Sequence, residues 1–441
     1  LNATGQHHVV IVGGGFGGLY AAQRLGRAGA RVTLIDRRNF HLFQPLLYQV
    51  ATGGLSPANI AAPLRSVLRK QQNTEVMMAD VVDVDVNTRR LMFREAHLAP
   101  LDYDTLIVAT GSQFNYFGHD AWQAAAPGLK SIEDATEIRR RVLSAFEEAE
   151  LEKNPERQKF LLTFVVVGGG PTGVELSGAV AEVAHYTLHH DFRTINPHDA
   201  KVLLFEAGPA ILTMFPETLQ SKAEQALAKL GVEVRKNVRV TDIHSGGVTI
   251  QEGDQQHSIP AATVLWTAGV KASSFGERLA TSAGQTVDRA GKVTVEADCS
   301  LPNHPEILVI GDLASFNHTP DGKPLPALAP VAMQQGRYVA DLVARRLENE
   351  PAPPPFHYHD KGTLATIGRS QAVAHIGRLQ LSGFFAWITW LFVHLMYLVQ
   401  FHNRVLVFLQ WSYNYFSRGR SARLITGEAE CPRKSDGAAV E

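Results

Sequence analysis

The apolar positions of this chain gather in short unbroken runs that end on glycines. "HVVIVGGGFGGLYAA", residues 8–22, reads as a strand too apolar to have a wet face, then a glycine-rich turn, then apolar residues at helical spacing. "ARVTLIDRR" follows as a second apolar strand closing on Asp36. A strand–helix–strand opening of this kind predicts parallel strands covered on both faces. The same order recurs at "FVVVGGGPTGVELSG", Phe164 to Gly178, followed by "AKVLLFEAG", whose strand closes on Glu206. A charged helical stretch, "SIEDATEIRRRVLSAFEEAELEKNPERQK", separates the copies, and "EILVIGDLAS" adds a later strand ending on an acid. The expected fold is α/β, with two Rossmann-like dinucleotide-binding domains, the second inserted in the first, and an apolar helical C-terminal region. Residues 1–162 and 285–370 are assigned to the outer domain, 163–284 to the insert, and 371–441 to C-terminal helices and a polar tail.

The pattern changes near the C-terminus. After the proline cluster "ENEPAPPPFHY", residues 379–403 carry no formal charge, and "FFAWITWLFVHLMYLVQF", Phe384 to Phe401, has fifteen apolar residues in eighteen. Leaving each large side chain in water forfeits roughly 1.5–3 kcal/mol, so something must cover this stretch. Its length approaches that of a spanning helix. The next segment, "RVLVFLQWSYNYFSRGRSARL", is aromatic and basic, with Arg404, Arg418, Arg420 and Arg423 and no acid, which suits a segment lying in a membrane interface. In-plane attachment, a spanning helix and burial in a protein interface all stay open on the pattern alone.

Composition narrows the function. At 441 residues, with a formal net charge of −1, 45% hydrophobic and 19% charged, the chain is long enough for two or three domains and has no general attraction to polyanions. Nucleic acid is not expected as a partner. The two cysteines, Cys299 and Cys431, stand far apart in no CxxC spacing, so neither a disulfide framework nor a thiolate metal site is expected.

In the first loop Gly13, Gly15 and Gly18 satisfy GxGxxG, with Gly17 inside it and Asp36 placed to accept from ribose hydroxyls. Missing side chains let backbone N–H groups and a helix N-terminus approach a pyrophosphate. A lone GxGxxG is weak evidence; the strand before, the helix after and the acid downstream make it stronger. Gly168, Gly170, Gly173 and Glu206 repeat the set, and an acid there favours NADH, since a 2′-phosphate would face a carboxylate.

Two such loops, one domain nested in the other, resemble the two-dinucleotide-binding flavoproteins, in which the first site holds FAD and the second NAD(P)H. Within that resemblance "LIVATGS", with Ala109, Thr110 and Gly111, is similar to the crossover strand against the flavin domain. Asp312 in "VIGDLAS" falls on the position that contacts the FAD ribityl chain, and Val81 on the strand that holds the adenine.

What reoxidises such a flavin is the remaining question. Disulfide reductases need a cysteine pair after the first motif, where this chain reads "FHLFQPLLYQVATGGLSP" without a cysteine. That stretch, with "LAPVAMQQGRYVA" and "DKGTLATIGR", resembles type II NADH dehydrogenases, single-subunit FAD-containing NADH:quinone oxidoreductases that pump no protons. The resemblance implies one non-covalent FAD, NADH as substrate, a quinone acceptor, a homodimer, and peripheral attachment to the cytoplasmic side of the cell membrane. Carried over by position, Ala329, Ala332 and Gln334 fall on the family's AQxAxQ quinone pattern, Ala329 also bordering FAD. Lys361 falls on its lysine near the flavin, and Glu175 on the acid where nicotinamide, flavin and quinone pocket meet. Pro330 replaces the pattern's first glutamine, removing an amide and a backbone N–H. Gln44 and Pro45 are further candidates for the quinone pocket, with His41 beside them. Two other readings stay open: a soluble flavin NADH oxidase or ferredoxin-type reductase, and a slow-turnover redox-sensing flavoprotein.

Overall fold

The computed structural model describes residues 5–320, 322–417 and 419–427. The outer domain is built on a six-stranded sheet whose neighbours run Ser300–Leu301, His304–Val309, Thr105–Val108, His8–Val12, Arg31–Asp36 and Thr74–Met78. All pairs are parallel except the short Ser300–Leu301 edge. Every residue of His8–Val12 and Thr105–Val108 is buried, which is why these strands read as continuous apolar runs instead of alternating ones. The insert repeats the plan on four parallel strands ordered Val232–Lys236, Lys201–Glu206, Thr163–Val167 and Thr263–Trp266. In both sheets the strand entering the glycine loop is flanked by its next strand on one side and by a much later strand on the other. This is the switch point at whose carboxyl end ligands of such sheets bind.

The insert returns by an antiparallel pair, Ser112–Phe114 with Val270–Ala272. Ala272, Phe275 and Leu279 are already buried in the outer core with Val9, Leu106 and Ile307, so the chain has rejoined that core ahead of residue 285. The return runs through a short helix, Phe275–Ser282, with no glycine or proline break between the pair and the helix to mark it in the sequence. Helix Ala329–Leu347 closes the outer domain against helix Phe16–Leu25. A side chain on Gly336 would lie 2.3 Å from the Gly17 carbonyl, so the two backbones meet only because that residue is glycine.

The C-terminal part begins with a three-stranded antiparallel sheet, Thr363–Thr366, Ala372–Ile376 and Leu379–Ser382. The apolar run is two helices, Phe384–Tyr397 and Phe401–Ser417, parted at Leu398, whose carbonyl accepts from Arg404 Nε at 2.7 Å. Fourteen residues of helix are about 21 Å long, short of the ~30 Å hydrocarbon layer. No helix among the described residues is long and apolar enough to cross a membrane, which removes the spanning alternative for this stretch.

Candidate functional site

The two glycine loops share one backbone plan. Gly13 has φ +107° and Gly168 φ +110°, values in the left-handed half that only glycine adopts without strain. The Gly13 N–H donates to the Ile35 carbonyl, and the Gly168 N–H to that of Phe205, both at 2.8 Å. A side chain on Gly18 would lie 1.8 Å from the Gly13 carbonyl oxygen, and one on Gly173 1.8 Å from that of Gly168. These positions let each helix close on its loop. Gly15 and Gly170, the residues capping the two helices, are different: a Cβ on either meets no protein atom within 4 Å. The helix N-termini therefore face open space with free N–H groups, which fits a pyrophosphate at each loop.

Each loop is also tied to its acid. Gly14 N–H donates to Asp36 Oδ2 and Gly169 N–H to Glu206 Oε2, both at 2.6 Å, while the other carboxylate oxygens accept from Arg38 N–H at 2.7 Å and Gly208 N–H at 2.6 Å. Burial raises the Asp36 carboxyl and these N–H donors oppose it. Across the loops lie Ala109 and Thr110 in the outer domain and Thr267 and Ala268 in the insert. The sequence reading missed Thr267; its signal was "LWTAGV", a second version of "LIVATGS".

Around the first loop the structure gathers Asp312, Ser112 and Lys130. Ser112 Oγ donates to Asp312 Oδ2 at 2.5 Å, and Lys130 Nζ donates to Ser112 Oγ at 2.6 Å. Burial lowers the Lys130 ammonium and the Asp312 charge resists it. Lys130 was also missed, because an isolated lysine before a helix carries no pattern. Gln44 is exposed and its amide donates to the Lys130 carbonyl at 3.1 Å, and Pro45 opens the short turn Gln44–Leu46 beside it. His41 is a packing residue: Nδ1 meets the Gly14 carbonyl at 3.0 Å, the Phe16 ring stands edge-on at 5.0 Å, and burial pushes the imidazole down to about 4. Val81 begins a strand of a small antiparallel sheet and packs against the outer core.

Ala329 and Pro330 form the first turn of helix Ala329–Leu347, and Ala332 is buried against Gly17 and Gly311. The Gln334 amide is used at both ends: its Nε2 donates to the His359 carbonyl at 2.9 Å and its Oε1 accepts from His359 N–H at 3.0 Å. Gln334 thus clasps the segment carrying the exposed Lys361, and its amide is already committed to backbone. Gln335 is committed too, accepting from Gly311 N–H at 2.7 Å.

Glu175 stands on helix Pro171–Glu182, the helix that begins at the second glycine loop. Its Oε1 accepts from Thr366 N–H of the C-terminal sheet at 3.4 Å. Desolvation pushes the carboxyl up to about 8, with the Thr366 N–H opposing, although the residue keeps part of its surface exposed. Its charge also helps raise the buried Tyr48 phenol, behind desolvation as the main cause. Cys299 is buried at 0% exposure and desolvation pushes its thiol upward, so it is no nucleophile at neutral pH. Cys431 lies outside the described residues, as does Arg418. Among the described residues no cluster could hold a metal ion.

The C-terminal helices turn an apolar face outward. Phe385, Ile388, Phe392 and Met396 are exposed at helical spacing, while Ala386 and Trp390 are buried opposite; Phe401, Phe408 and Phe416 are exposed on the next helix, while Asn403, Val407 and Trp411 are buried. The basic residues expected to face lipid are partly spoken for. Arg420 pairs with Glu182 at 2.8 Å, Arg423 with Asp191, and Arg404 caps Leu398.

Known proteins share this arrangement. Residues 7–336 match the pyridine nucleotide-disulphide oxidoreductase family and residues 360–421 match the NDH2 C-terminal domain. The type II NADH:quinone oxidoreductase Ndh of Mycobacterium tuberculosis is 44% identical over 96% of this chain and 91% of its own. This chain belongs to the type II NADH:quinone oxidoreductases. The external NADH-ubiquinone oxidoreductase 2 of Saccharomyces cerevisiae mitochondria is 30% identical over 94% of this chain and 82% of its own. Among solved structures, NDH2 from Plasmodium falciparum in complex with NADH has a TM-score of 0.86, covering 96% of this chain and all of its own at 21% identity, which speaks for the fold alone. The sulfide:quinone oxidoreductase of Aquifex aeolicus has a TM-score of 0.68 at 20% identity, covering 93% of this chain and 95% of its own. As a type II NADH:quinone oxidoreductase the chain carries the pyridine nucleotide-disulphide oxidoreductase match over both sheets and the NDH2 C-terminal match over the helices that follow.

Proposed function

We propose that the site carries two electrons from NADH, through one FAD held by the outer domain, to a membrane quinone, without pumping protons. The observation carrying this reading is that Glu175, whose carboxyl desolvation pushes up to about 8, grows from the same helix whose start forms the second phosphate cradle. FAD, when bound, would supply the redox chemistry between NADH and the acceptor. Residues Gly13, Gly15, Gly17, Gly18, Asp36, Val81, Ala109, Thr110, Gly111, Asp312 and Ala329 would hold it, joined by Lys130. Gly168, Gly170, Gly173 and Glu206 orient NADH.

Glu175 is the proton-holding group. With Oε1 facing the Thr366 N–H, a proton carried on Oε2 would be available to a reduced quinone oxygen. Lys361 and the Gln334 clasp shape the acceptor side with Gln44, Pro45, Pro330 and Ala332. Since the Gln334 amide is used on backbone, its role is to fix the Lys361 segment. Glu175→Gln tests the assignment: quinone turnover falls on the order of a hundredfold while flavin reduction by NADH stays within about twofold. Unchanged quinone turnover removes the role.

The outward apolar face supports one-leaflet attachment, with the acceptor arriving from the bilayer, and the same reading takes the attached side as the cytoplasmic one. A homodimer belongs to the same reading, and sedimentation in detergent tests it. The oxidase, ferredoxin-reductase and redox-sensor readings leave the exposed apolar faces of these helices without a purpose.

A further inference from the structure

A single exposed ring on a protein surface is ordinary and needs no explanation. Phe117 differs because its backbone is forced. At φ +52° it holds the left-handed conformation that bulky residues avoid, and yet its ring is 62% exposed. Strain of this kind persists only where the surroundings impose it, and it gathers at ligand sites.

Those surroundings are a built seat. Phe117 N–H donates to Asn115 Oδ1 at 2.8 Å, and the Asn115 carbonyl accepts from the indole N–H of the buried Trp266 at 3.1 Å. Tyr116 stacks on that indole with ring centres 5.2 Å apart, and the Phe117 ring stands edge-on to it at 6.2 Å. Gly269, at φ +76°, completes the seat: a side chain on it would lie 2.5 Å from Phe117 Cζ, so the ring takes the space that only a glycine leaves.

The seat adjoins the second glycine loop, because Thr267 in the same turn as Gly269 donates to the Gly168 carbonyl at 3.0 Å. Strand order in the insert fixes which half of a nucleotide would lie there. Lys201–Glu206, ending on the acid suited to the adenosine ribose, and Thr263–Trp266, leading to Gly269, flank Thr163–Val167 on opposite sides. A dinucleotide with its pyrophosphate at the loop and its adenosine at Glu206 therefore carries its nicotinamide toward Gly269 and Phe117. That side also faces the outer domain: Ser112, earlier in the same segment, donates to Asp312, and Ser112–Phe114 pairs with Val270–Ala272.

We propose that Phe117 binds the nicotinamide of NADH, its ring packing against the nicotinamide ring and holding it toward the outer domain. The assignment deepens the NADH reading above and rests on it. An aromatic face suits both the neutral reduced ring and the cationic oxidised one.

The FAD-loaded enzyme is compared as wild type, Phe117→Gly and Phe117→Tyr. Calorimetric titrations with NAD+ and with ADP-ribose, which lacks the nicotinamide, are followed by NADH oxidation with ferricyanide and with a short-chain ubiquinone. In Phe117→Gly the Kd for NAD+ and the KM for NADH are expected to rise about tenfold, while the ADP-ribose Kd and the quinone KM stay within about twofold. Its melting temperature is expected to be no lower than that of the wild type, since glycine accepts this φ without strain. Phe117→Tyr keeps the wild-type values. An unchanged NAD+ Kd in Phe117→Gly overturns the proposal, as does a tyrosine variant as weak as the glycine one. Equal weakening of ADP-ribose overturns it too, because the ring then acts on the loop and not on the nicotinamide. Wild-type enzyme that binds neither ligand removes the NADH reading and this role with it, whereas wild-type and variant enzymes that bind both alike remove only the role of Phe117.

Discussion

Phe385 and Phe416 present one heavily exposed ring from each C-terminal helix, at 76% and 83% of full exposure. Burying a whole large side chain is worth roughly 1.5–3 kcal/mol, so immersing these two exposed fractions is worth roughly 2–5 kcal/mol in lipid binding. Replacing both with serine is expected to weaken partitioning by about thirtyfold at the least and a few thousandfold at most. The fold is untouched, since the buried faces are set by Ala386, Trp390, Val407 and Trp411. Co-sedimentation with phosphatidylcholine–phosphatidylglycerol vesicles reads the effect, with NADH–ferricyanide turnover as the control. Because Arg420 and Arg423 are paired within the protein, raising the salt to 0.5 M, where screening reaches only ~4 Å, leaves most of the binding in place. Unchanged sedimentation of the double variant would refute the reasoning, and release by salt alone would show that charge, not apolar area, holds the protein.

Three further outcomes follow from the site. Glu175 is raised in the folded state, so the native protein binds more protons than the unfolded chain between pH ~4.5 and ~8, and stability falls as pH rises through that window; Glu175→Gln flattens this slope in thermal melts, and an unchanged slope contradicts the shift. Gly170→Ala meets no protein atom, so its melting temperature stays within about 2 °C while the KM for NADH rises at least about tenfold; a normal KM shows that the loop does not approach the nucleotide. Lys130→Met removes the donor to Ser112 Oγ and lowers FAD retention on dilution about tenfold or more, measured by flavin fluorescence; full retention leaves Lys130 a structural residue.

The nested sheets were legible because parallel strands buried on both faces are unbroken apolar runs, and because Gly13, Gly18, Gly168 and Gly173 stand where no side chain fits. What escaped the sequence depends on side-chain partners. Gln334 looks like a free amide in a motif, and only the fold shows both its ends taken by His359. Arg420 and Arg423 look like lipid-facing charge until the chain brings Glu182 and Asp191 to them. The apolar run has a spanning length, yet Arg404 capping Leu398 divides it. Lys130 meets Ser112 and Thr267 meets the second glycine loop through contacts between residues far apart along the chain, which no local pattern encodes.

The central claim is that one flavin takes electrons from NADH and gives them to a quinone. Anaerobic mixing of the FAD-loaded enzyme with one equivalent of NADH, followed by mixing with a quinone while flavin absorbance is recorded, tests it most directly. The account predicts bleaching by NADH and full recovery on quinone addition, at rates no slower than steady-state turnover, with oxygen a much slower oxidant. A flavin that bleaches but recovers only with oxygen, or with a protein acceptor, would contradict it.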